Sequence, residues 1–376
     1  MSLLKLLGFG LITLTLISPY ATQANETPDY AQRGKHPVGV MHFTIETADY
    51  TLNASLWYPA LNPDKVEERY TYELNGLVTS GQALLDAVPD LANSPYPTLI
   101  YSHGLFGARF ESIHYVEHLA SWGFVVLAAD HIGSTFFDIS SAQDVVRSFG
   151  YRPQDVTQLL DYAESINAQT EFEGMLDMDA VGMTGFSFGA YTALLAGGAV
   201  MDSTALALTC QTVSAQENAL CDGANQQLLA ETLGLDSVPQ GLWHSNADER
   251  IKTIVALAPC CIDMLGTAGV AKLTIPLMVM AGTADTAAPP EQHGSIVFEN
   301  ASSPERALVL LEDAGHEVYL DIYDGKISRA HDLIHHFATA FFLDQLKGDA
   351  QAASVLDPTS VNFTEITYTA INLNAE

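Results

Sequence analysis

Short apolar runs alternate along the chain with segments whose apolar residues recur three and four positions apart. A continuous apolar run is typical of a strand buried on both faces of a parallel sheet, whereas the second spacing places apolar side chains on one face of a helix. The alternation predicts an α/β fold with a mostly parallel central sheet and helices on both of its faces. The runs predict strands at 98–101, 124–129, 180–184, 254–258, 277–281 and 307–311, and the spaced segments predict helices at 111–122, 153–167, 191–201 and 327–346.

The first part of the chain does not follow this alternation. Segments 38–47 and 50–57 carry β-branched and aromatic residues at close to period-two spacing, which predicts an antiparallel hairpin before the parallel strands. Segment 59–97 is polar and broken, and it predicts a connection with one short helix at 82–88.

Two further segments lie outside the repeated strand and helix pattern. Segment 202–249 is rich in Ser, Gln, Asn and Asp, and it predicts an insertion after the helix at 191–201. This insertion is either a lid or cap above the sheet or a plain surface excursion. Residues 347–376 predict a polar C-terminal tail that forms an edge strand or a loose end, so one α/β domain is expected over 25–346.

The N-terminus has the features of a secretory signal peptide. Lys5 precedes an apolar run at 6–17, and small or polar residues follow at 21–24. The run is shorter than the ~18 to 20 apolar residues needed to span a bilayer, which is the argument against a membrane anchor. We therefore expect cleavage after a signal peptide at 1–24, a secreted or periplasmic protein, and no stable membrane insertion.

Composition excludes some partner classes. Acidic residues outnumber basic ones 45 to 15, which gives a formal net charge of −30, while hydrophobic residues make up 48% of the chain. Such a charge repels phosphate backbones and anionic headgroups, so we expect no nucleic-acid partner. The apolar fraction is typical of a compact globular protein.

Four cysteines, Cys210, Cys221, Cys260 and Cys261, are an even number in a chain that is expected to be exported. This predicts disulfides, for which three full pairings exist. A Cys210–Cys221 bond closes a short loop, whereas a bond between the adjacent Cys260 and Cys261 needs a strained ring, so crossed pairing stays open. The spacing resembles no common zinc site.

Candidate chemistry begins at Gly185-Phe186-Ser187-Phe188-Gly189, which lies between a predicted strand and a predicted helix. A G-x-S-x-G sequence in that context predicts a sharp turn that exposes the hydroxyl of Ser187 above the sheet. The motif alone is weak, because a Gly- and Ser-rich loop also produces it. The rest of the chain has to supply a base and an acid.

Two later turns supply these groups. Asp285 follows the strand at 277–281, and His316 follows the strand at 307–311. The order Ser187, Asp285, His316 is that of α/β hydrolases, with His316 as the base and Asp285 as the residue that orients it. Asp313 is the rival acid, but it shares a loop with His316 and needs a sharp reversal to reach the imidazole.

The predicted oxyanion-binding amides are those of Phe188, which follows the candidate nucleophile, and Leu105, in the turn after the strand at 98–101. Phe106 and Phe186 flank these positions, and we expect them to contact an apolar part of the substrate. His331 and His335 have the i, i+4 spacing of a zinc-protease helix, but Asp332 replaces the usual glutamate, so a structural helix without metal is expected.

Several stretches together carry a family resemblance: Ser102-His103-Gly104-Leu105, the residues 117–126, Asp130-His131, 185–189 and Ala314-Gly315-His316. They resemble the platelet-activating-factor acetylhydrolase family and its bacterial dienelactone-hydrolase-like relatives, over about 38–346. The resemblance implies an α/β-hydrolase fold and a serine esterase without a cofactor. It also implies Ser187, Asp285 and His316 as the triad and Leu105 and Phe188 as the oxyanion amides.

The chain departs from the family pattern at two positions beside the nucleophile. Phe186 stands where many members have His, and Ala190 stands where a third glycine is common. These changes bear on the substrate, for which short-chain or lipid-like esters are expected. A lipase or polyester hydrolase is the alternative, followed by a peptidase or a non-catalytic binding protein on the same fold.

Overall fold

The computed structural model describes residues 27–321 and 329–373. The predicted signal peptide at 1–24 and the first two residues of the predicted helix at 327–346 lie outside these ranges. The described strands are β1 (Val38–Glu46), β2 (Thr51–Pro59), β3 (Tyr70–Leu74), β4 (Leu77–Gly81), β5 (Leu84–Leu85), β6 (Tyr96–Ser102), β7 (Val125–Ala129), β8 (Leu176–Phe186), β9 (Ile251–Leu257), β10 (Leu277–Gly282), β11 (Arg306–Leu311) and β12 (Ile366–Ile371).

Nine α-helices accompany these strands in the described ranges. They are α1 (Ile113–Ser121), α2 (Ala142–Gln169), α3 (Phe188–Ala196), α4 (Ser203–Thr209), α5 (Gly223–Thr232), α6 (Gly266–Val270), α7 (Gly294–Asn300), α8 (Ala330–Lys347) and α9 (Ala350–Val355). None of those helices is long and apolar enough to cross a bilayer.

Ten strands form one sheet in the order β12-β11-β10-β9-β8-β6-β7-β2-β1-β5. The six strands from β7 to β11 in that order run parallel, and β2 and β12 join them antiparallel at either side. Helices α1 and α8 bury one face of the sheet, and α2 and α3 bury the other. The predicted α/β fold with a mostly parallel sheet is confirmed.

The parallel strands place their carboxyl ends along one edge of the sheet. Ser102 pairs with Gly185 and Phe186 pairs with Leu257, while Gly282 pairs with Leu311. Ligands of open α/β sheets bind beyond the carboxyl ends of the strands. The turns that carry Ser187, Asp285 and His316 therefore meet at this edge.

Helix α2 begins earlier than the predicted 153–167. Ser141 and Asp144 form a capping box at its start, and Pro153 lies inside the helix. The predicted start rested on the helical spacing of apolar residues from Val156 to Ala163, which marks only the later part of the helix. The reciprocal bonds between Ser141 and Asp144 fix the actual start.

The predicted short helix at 82–88 is wrong. Leu84 and Leu85 form β5, which pairs with Gly39 and Val40 of β1. The same connection also contains a separate β3–β4 hairpin. The hairpin is anchored by Tyr72, whose hydroxyl accepts a hydrogen bond from Trp57 Nε1 (2.9 Å) and donates one to Glu117 (2.7 Å).

The insertion at 202–249 contains α4 and α5, joined by the Cys210–Cys221 disulfide. Leu206, Leu220 and Leu229 are buried in the same hydrophobic layer as α2 and α3. The segment therefore has its own packed contacts with the domain, and its role as a lid stays a prediction.

The C-terminal tail contributes to the sheet. Strand β12 pairs antiparallel with β11 from Leu311 and Ile366 to Arg306 and Ile371. Tyr368 of β12 donates a hydrogen bond to the Leu356 carbonyl (2.8 Å). The central sheet therefore extends beyond residue 346, and Ile366–Ile371 of the tail form its edge strand.

Four histidines pack between α1 and α8. His114 stacks on His331 (ring centroids 3.8 Å apart) and His118 stacks on His335 (4.0 Å), while His114 Nδ1 and His335 Nε2 are 2.9 Å apart. Burial lowers the pKa of His114 and of His331 to about 4, and that of His118 to about 3. The four rings are therefore neutral near pH 7 and serve as packing between the helices.

This cluster predicts a loss of stability in acid. The pKa of each ring in the folded protein lies below the ordinary value of ~6.5. As pH falls from about 6.5 towards 4, the rings of the unfolded chain therefore take up protons before those of the folded chain, and the folded state loses stability. For His118, with a folded pKa of about 3, the loss by pH 4.5 is expected to be roughly 2–3 kcal/mol. Urea unfolding at pH 7 and 4.5 measures this loss. His118→Phe keeps a ring on His335 but cannot titrate, so its loss should be smaller by that amount, and equal losses would contradict the assignment.

Candidate active site

The turn between β8 and α3 holds Ser187 in an unusual backbone conformation, with φ 54° and ψ −114°. A Cβ atom on Gly185 would overlap the backbone of Gly189, and one on Gly189 would overlap the Ser102 carbonyl. The Ser187 amide donates to the Leu257 carbonyl (2.8 Å). Close backbone approach and this bond hold the strained turn that was predicted from the sequence.

The structure brings Ser187, His316 and Asp285 into one chain of hydrogen bonds. Ser187 Oγ lies 2.9 Å from His316 Nε2, and His316 Nδ1 lies 2.7 Å from Asp285 Oδ2. Burial opposes ionisation of Asp285, but hydrogen bonds from His316 and from the Ala288 and Ala287 amides leave its pKa below the ordinary value. Asp285 is therefore a carboxylate that can hold the imidazole in one orientation.

The rival acid Asp313 lies elsewhere. It is exposed, and its amide donates to Thr283 Oγ1 (2.9 Å). The imidazole of His316 has its two nitrogens on Ser187 and Asp285. Asp285, and not Asp313, is therefore the aspartate that contacts His316 Nδ1 in this structure. This agrees with the residue order Ser187, Asp285, His316 in the sequence.

The two candidate oxyanion amides belong to well-held backbone. Phe188 is the first residue of α3, where helix amides have no acceptor within the helix. Leu105 lies between Gly104, whose amide donates to Glu111 Oε1 (2.7 Å), and Phe106, whose amide donates to the Ser134 carbonyl (2.9 Å). Hydrogen bonds thus fix the loop on both sides of Leu105.

Arg152 joins these two backbone segments, and it was missed in the sequence. Its buried guanidinium donates to the carbonyls of His103 (2.6 Å) and Gly104 (3.1 Å), and it lies 4.4 Å from the ring centroid of Phe188. Burial lowers its pKa to about 10, so it stays charged at neutral pH. Its position four residues before Val156, on the apolar face of α2, is the signal that could have identified it.

Replacing Arg152 tests whether it positions the oxyanion loop. We expect Arg152→Met to lower kcat by roughly 10²-fold with little change in KM, because misplaced oxyanion donors weaken transition-state binding by up to ~3–4 kcal/mol. Arg152→Lys should recover part of the rate, since it keeps the charge but not the fork of donors. Steady-state kinetics on a p-nitrophenyl ester measure both values. Arg147→Met, at a partly exposed position on the same helix, is the matched control, and equal kinetics in Arg152→Met and Arg147→Met would contradict the role.

A second Ser-His-Asp set lies beneath the first. Ser102 Oγ is 2.9 Å from His131 Nε2, and His131 Nδ1 is 2.8 Å from Asp155 Oδ2. All three side chains are fully buried, and Arg152 also contacts Ser102 (3.3 Å). Hydrogen-bond geometry alone therefore does not identify a nucleophile. Ser187 and His316 are partly exposed, whereas the buried set can only support the loop that follows Ser102.

An apolar pocket of about 400 Å³ lies between the loop after β6 and the loop after His316, and Ser187 and His316 themselves are not among its lining residues. The loop after β6 contributes Phe106, which is 58% exposed, and the loop after His316 contributes Leu320. The β3–β4 hairpin supplies Leu74, Leu77 and Val78 as the opposite wall.

Phe186, the other predicted substrate contact, lies outside the lining of this pocket. Its side chain is only 4% exposed, and its ring centroid lies 4.8 Å from that of His316 and 5.7 Å from that of Tyr319. A Cβ atom on Gly104 would also contact the Phe186 ring. In the structure Phe186 therefore packs against the ring of His316, and its contact with substrate stays a prediction.

His331 and His335, whose i, i+4 spacing resembles that of a zinc-protease helix, form part of the stacked histidine cluster. Across residues 27–321 and 329–373, no group of three or more His, Cys, Asp or Glu side chains is arranged to hold a metal ion.

One family model matches part of the chain. The family is described as platelet-activating factor acetylhydrolase, isoform II, and the match covers residues 88–144, which include β6, the Leu105 loop, α1 and β7. No curated protein matches the chain. The match agrees with the resemblance seen in the sequence and supports a hydrolase of ester substrates on an α/β-hydrolase fold. Ser187, Asp285 and His316 lie beyond the matched residues.

Proposed function

We propose that this chain is a secreted or periplasmic serine carboxylic-ester hydrolase that acts on short-chain or lipid-like esters. The observation that carries the proposal is the hydrogen-bonded chain Ser187–His316–Asp285, with distances of 2.9 and 2.7 Å, at the partly exposed edge of the sheet. The family match over residues 88–144 supports the reaction class. The sequence of the N-terminus and the Cys210–Cys221 disulfide support export.

The mechanism follows from the placement of each group. Ser187 Oγ attacks the ester carbonyl while His316 Nε2 takes its proton, and Asp285 stabilises the imidazolium. The amides of Leu105 and Phe188 receive the charge that develops on the carbonyl oxygen. His316 then protonates the leaving alcohol, and water, activated by the same imidazole, releases the acid from the acyl-enzyme. No cofactor takes part in these steps.

The pocket beside the centre supports an apolar substrate. Phe106 connects it to the Leu105 loop, and its walls are mainly aliphatic and aromatic. Each buried methylene contributes ~0.8 kcal/mol, so longer chains should bind better until the pocket is full. The exposed side chains of Leu77, Val78 and Phe106 also fit contact with an insoluble ester, which keeps a lipase or polyester hydrolase as the second candidate.

Labelling with a fluorophosphonate probe tests the reaction class. We expect the folded protein to be phosphonylated on Ser187, the label to be lost in Ser187→Ala, and the label to persist in Ser102→Ala, because Ser102 is fully buried. Failure of the folded wild-type protein to react would instead favour a binding protein on a hydrolase fold.

A series of p-nitrophenyl esters of increasing acyl length tests the substrate class. We expect kcat/KM to rise by about fourfold per methylene over the shorter chains, the equivalent of ~0.8 kcal/mol. Phe106→Ala should flatten this rise, whereas Phe137→Ala, at an exposed aromatic outside the pocket lining, should not. A phospholipid and a polyester film, assayed alongside, distinguish a hydrolase of lipid-like esters from a lipase or polyester hydrolase.

A further inference from the structure

Two cysteines remain after the Cys210–Cys221 disulfide is formed. Cys260 and Cys261 are adjacent in sequence and lie in the turn that follows β9. Their Sγ atoms are 2.8 Å apart, and Cys261 adopts a left-handed backbone conformation with φ 60°. A left-handed conformation is uncommon for a residue other than glycine, so the surrounding structure imposes this arrangement of the two thiols.

The turn that holds the pair is continuous with the turn of the candidate nucleophile. Leu257, the last residue of β9, accepts the hydrogen bond of the Ser187 amide (2.8 Å). Ala258, with φ 44°, donates to the Met280 carbonyl (2.7 Å), and the Ile262 amide contacts His293 Nδ1 (3.4 Å). The backbone on both sides of the cysteines is therefore fixed, and Cys260 lies three positions after Leu257, whose carbonyl holds the Ser187 amide.

The surroundings of the pair allow reaction with a small molecule. Both side chains are partly exposed, and they pack against the hydrophobic layer that contains Phe188 and Tyr191. The Tyr191 hydroxyl is buried without a hydrogen-bond partner among the described residues. The hydrogen bond with Cys260, together with burial, raises the pKa of Cys261 well above its ordinary value. Cys261 is thus a thiol at neutral pH, which suits it to the second, resolving step of a thiol–disulfide exchange.

We propose that Cys260 and Cys261 form a redox site, a vicinal dithiol that a small-molecule disulfide oxidises to an intramolecular disulfide. The thiolate of Cys260 attacks one sulfur of the small disulfide and releases one thiolate, which takes up a proton. Cys261 then loses its proton and attacks Sγ of Cys260, and the second small thiol leaves. Two protein thiols and one small disulfide become one protein disulfide and two small thiols, so atoms and electrons balance.

The resulting bond differs from the other disulfide of the chain. Adjacent Cα atoms are ~3.8 Å apart across a trans peptide, which is below the usual 4.4–6.8 Å of disulfides, so the ring is strained and more easily reduced. Cys210 and Cys221 have their Cα atoms 5.2 Å apart, within that range. The Cys260–Cys261 disulfide should therefore be reduced under milder conditions than the Cys210–Cys221 disulfide. Ring closure also restrains the turn that follows Leu257, whose carbonyl accepts the hydrogen bond of the Ser187 amide. The redox state of the pair therefore bears on the backbone next to Ser187.

Peptide mapping of the full protein after incubation with glutathione and glutathione disulfide tests the proposal. Samples are quenched in acid, alkylated without reduction and digested. In oxidising mixtures we expect the peptide containing Cys260 and Cys261 to be unalkylated and two hydrogens lighter than the dithiol. In mildly reducing mixtures both residues should be alkylated while Cys210–Cys221 stays joined. Alkylation of both residues in every mixture, or their pairing with Cys210 or Cys221, would overturn the proposal.

A single variant tests the exchange route. Cys261→Ser removes the resolving thiol, so oxidation should stop at a mixed disulfide between Cys260 and glutathione. A Cys260 that stays unmodified in this variant would contradict the proposed first step. These readouts are covalent masses, and they do not depend on whether Ser187 hydrolyses esters.

Discussion

The Ser187→Ala variant is expected to lose roughly 10⁴- to 10⁶-fold of kcat on a p-nitrophenyl ester, because it removes the partly exposed hydroxyl that contacts His316 Nε2. The oxyanion amides and the pocket remain, so KM should change little and some catalysis over water should persist. Steady-state hydrolysis, with the folded fraction checked by thermal unfolding, measures the loss.

The second Ser-His-Asp set provides a demanding comparison for that result. Ser102→Ala removes a hydroxyl with nearly the same hydrogen-bond geometry, 2.9 Å from His131, but in a fully buried position. Its effect should come through the loop that follows Ser102 and remain far smaller than that of Ser187→Ala. A protein that lost activity in Ser102→Ala and kept it in Ser187→Ala would overturn the assignment of the nucleophile.

The central sheet could be predicted because its strands are buried on both faces. In β7 and β10 every residue is buried, so each strand appears in the sequence as an uninterrupted apolar run. The β3–β4 hairpin gave no such signal. Its strands form a separate two-stranded sheet, and Leu77 and Val78 are exposed to the pocket, so neither a continuous run nor a strict alternation marks them.

The residues of the candidate site also differ in whether a pattern of buried strands predicts their position. Ser187, Asp285 and His316 each follow a predicted parallel strand, and the carboxyl ends of parallel strands meet at one edge, so their proximity could be expected. Arg152 donates to backbone carbonyls of a loop far away in sequence. Its position on the apolar face of α2 indicates that it is buried, but it does not indicate which carbonyls it contacts. The pairing of Cys210 with Cys221 was likewise undecided, because cysteine spacing alone does not fix connectivity.

Asp285→Asn is expected to lower kcat by roughly 10⁴-fold, through the tautomer of His316. Asp285 Oδ1 accepts hydrogen bonds from the amides of Ala287 (2.9 Å) and Ala288 (2.8 Å). The carbonyl oxygen of asparagine must keep that position, which directs its NH₂ group to His316 Nδ1. A donor there makes Nδ1 the acceptor and leaves the proton on Nε2, where it blocks transfer from Ser187.

Asp313→Asn is the matched control for this change. It alters the same functional group on an exposed aspartate three residues before His316, but one that makes no described contact with the imidazole. Exposed substitutions of this kind usually change free energies by ~0.5 kcal/mol or less, so its kcat should stay within about twofold of the wild type. Parallel kinetics of the two variants separate the candidate acids. A large loss in Asp313→Asn with an active Asp285→Asn would show that the hydrogen bond at 2.7 Å is not the one that orients His316 during the reaction.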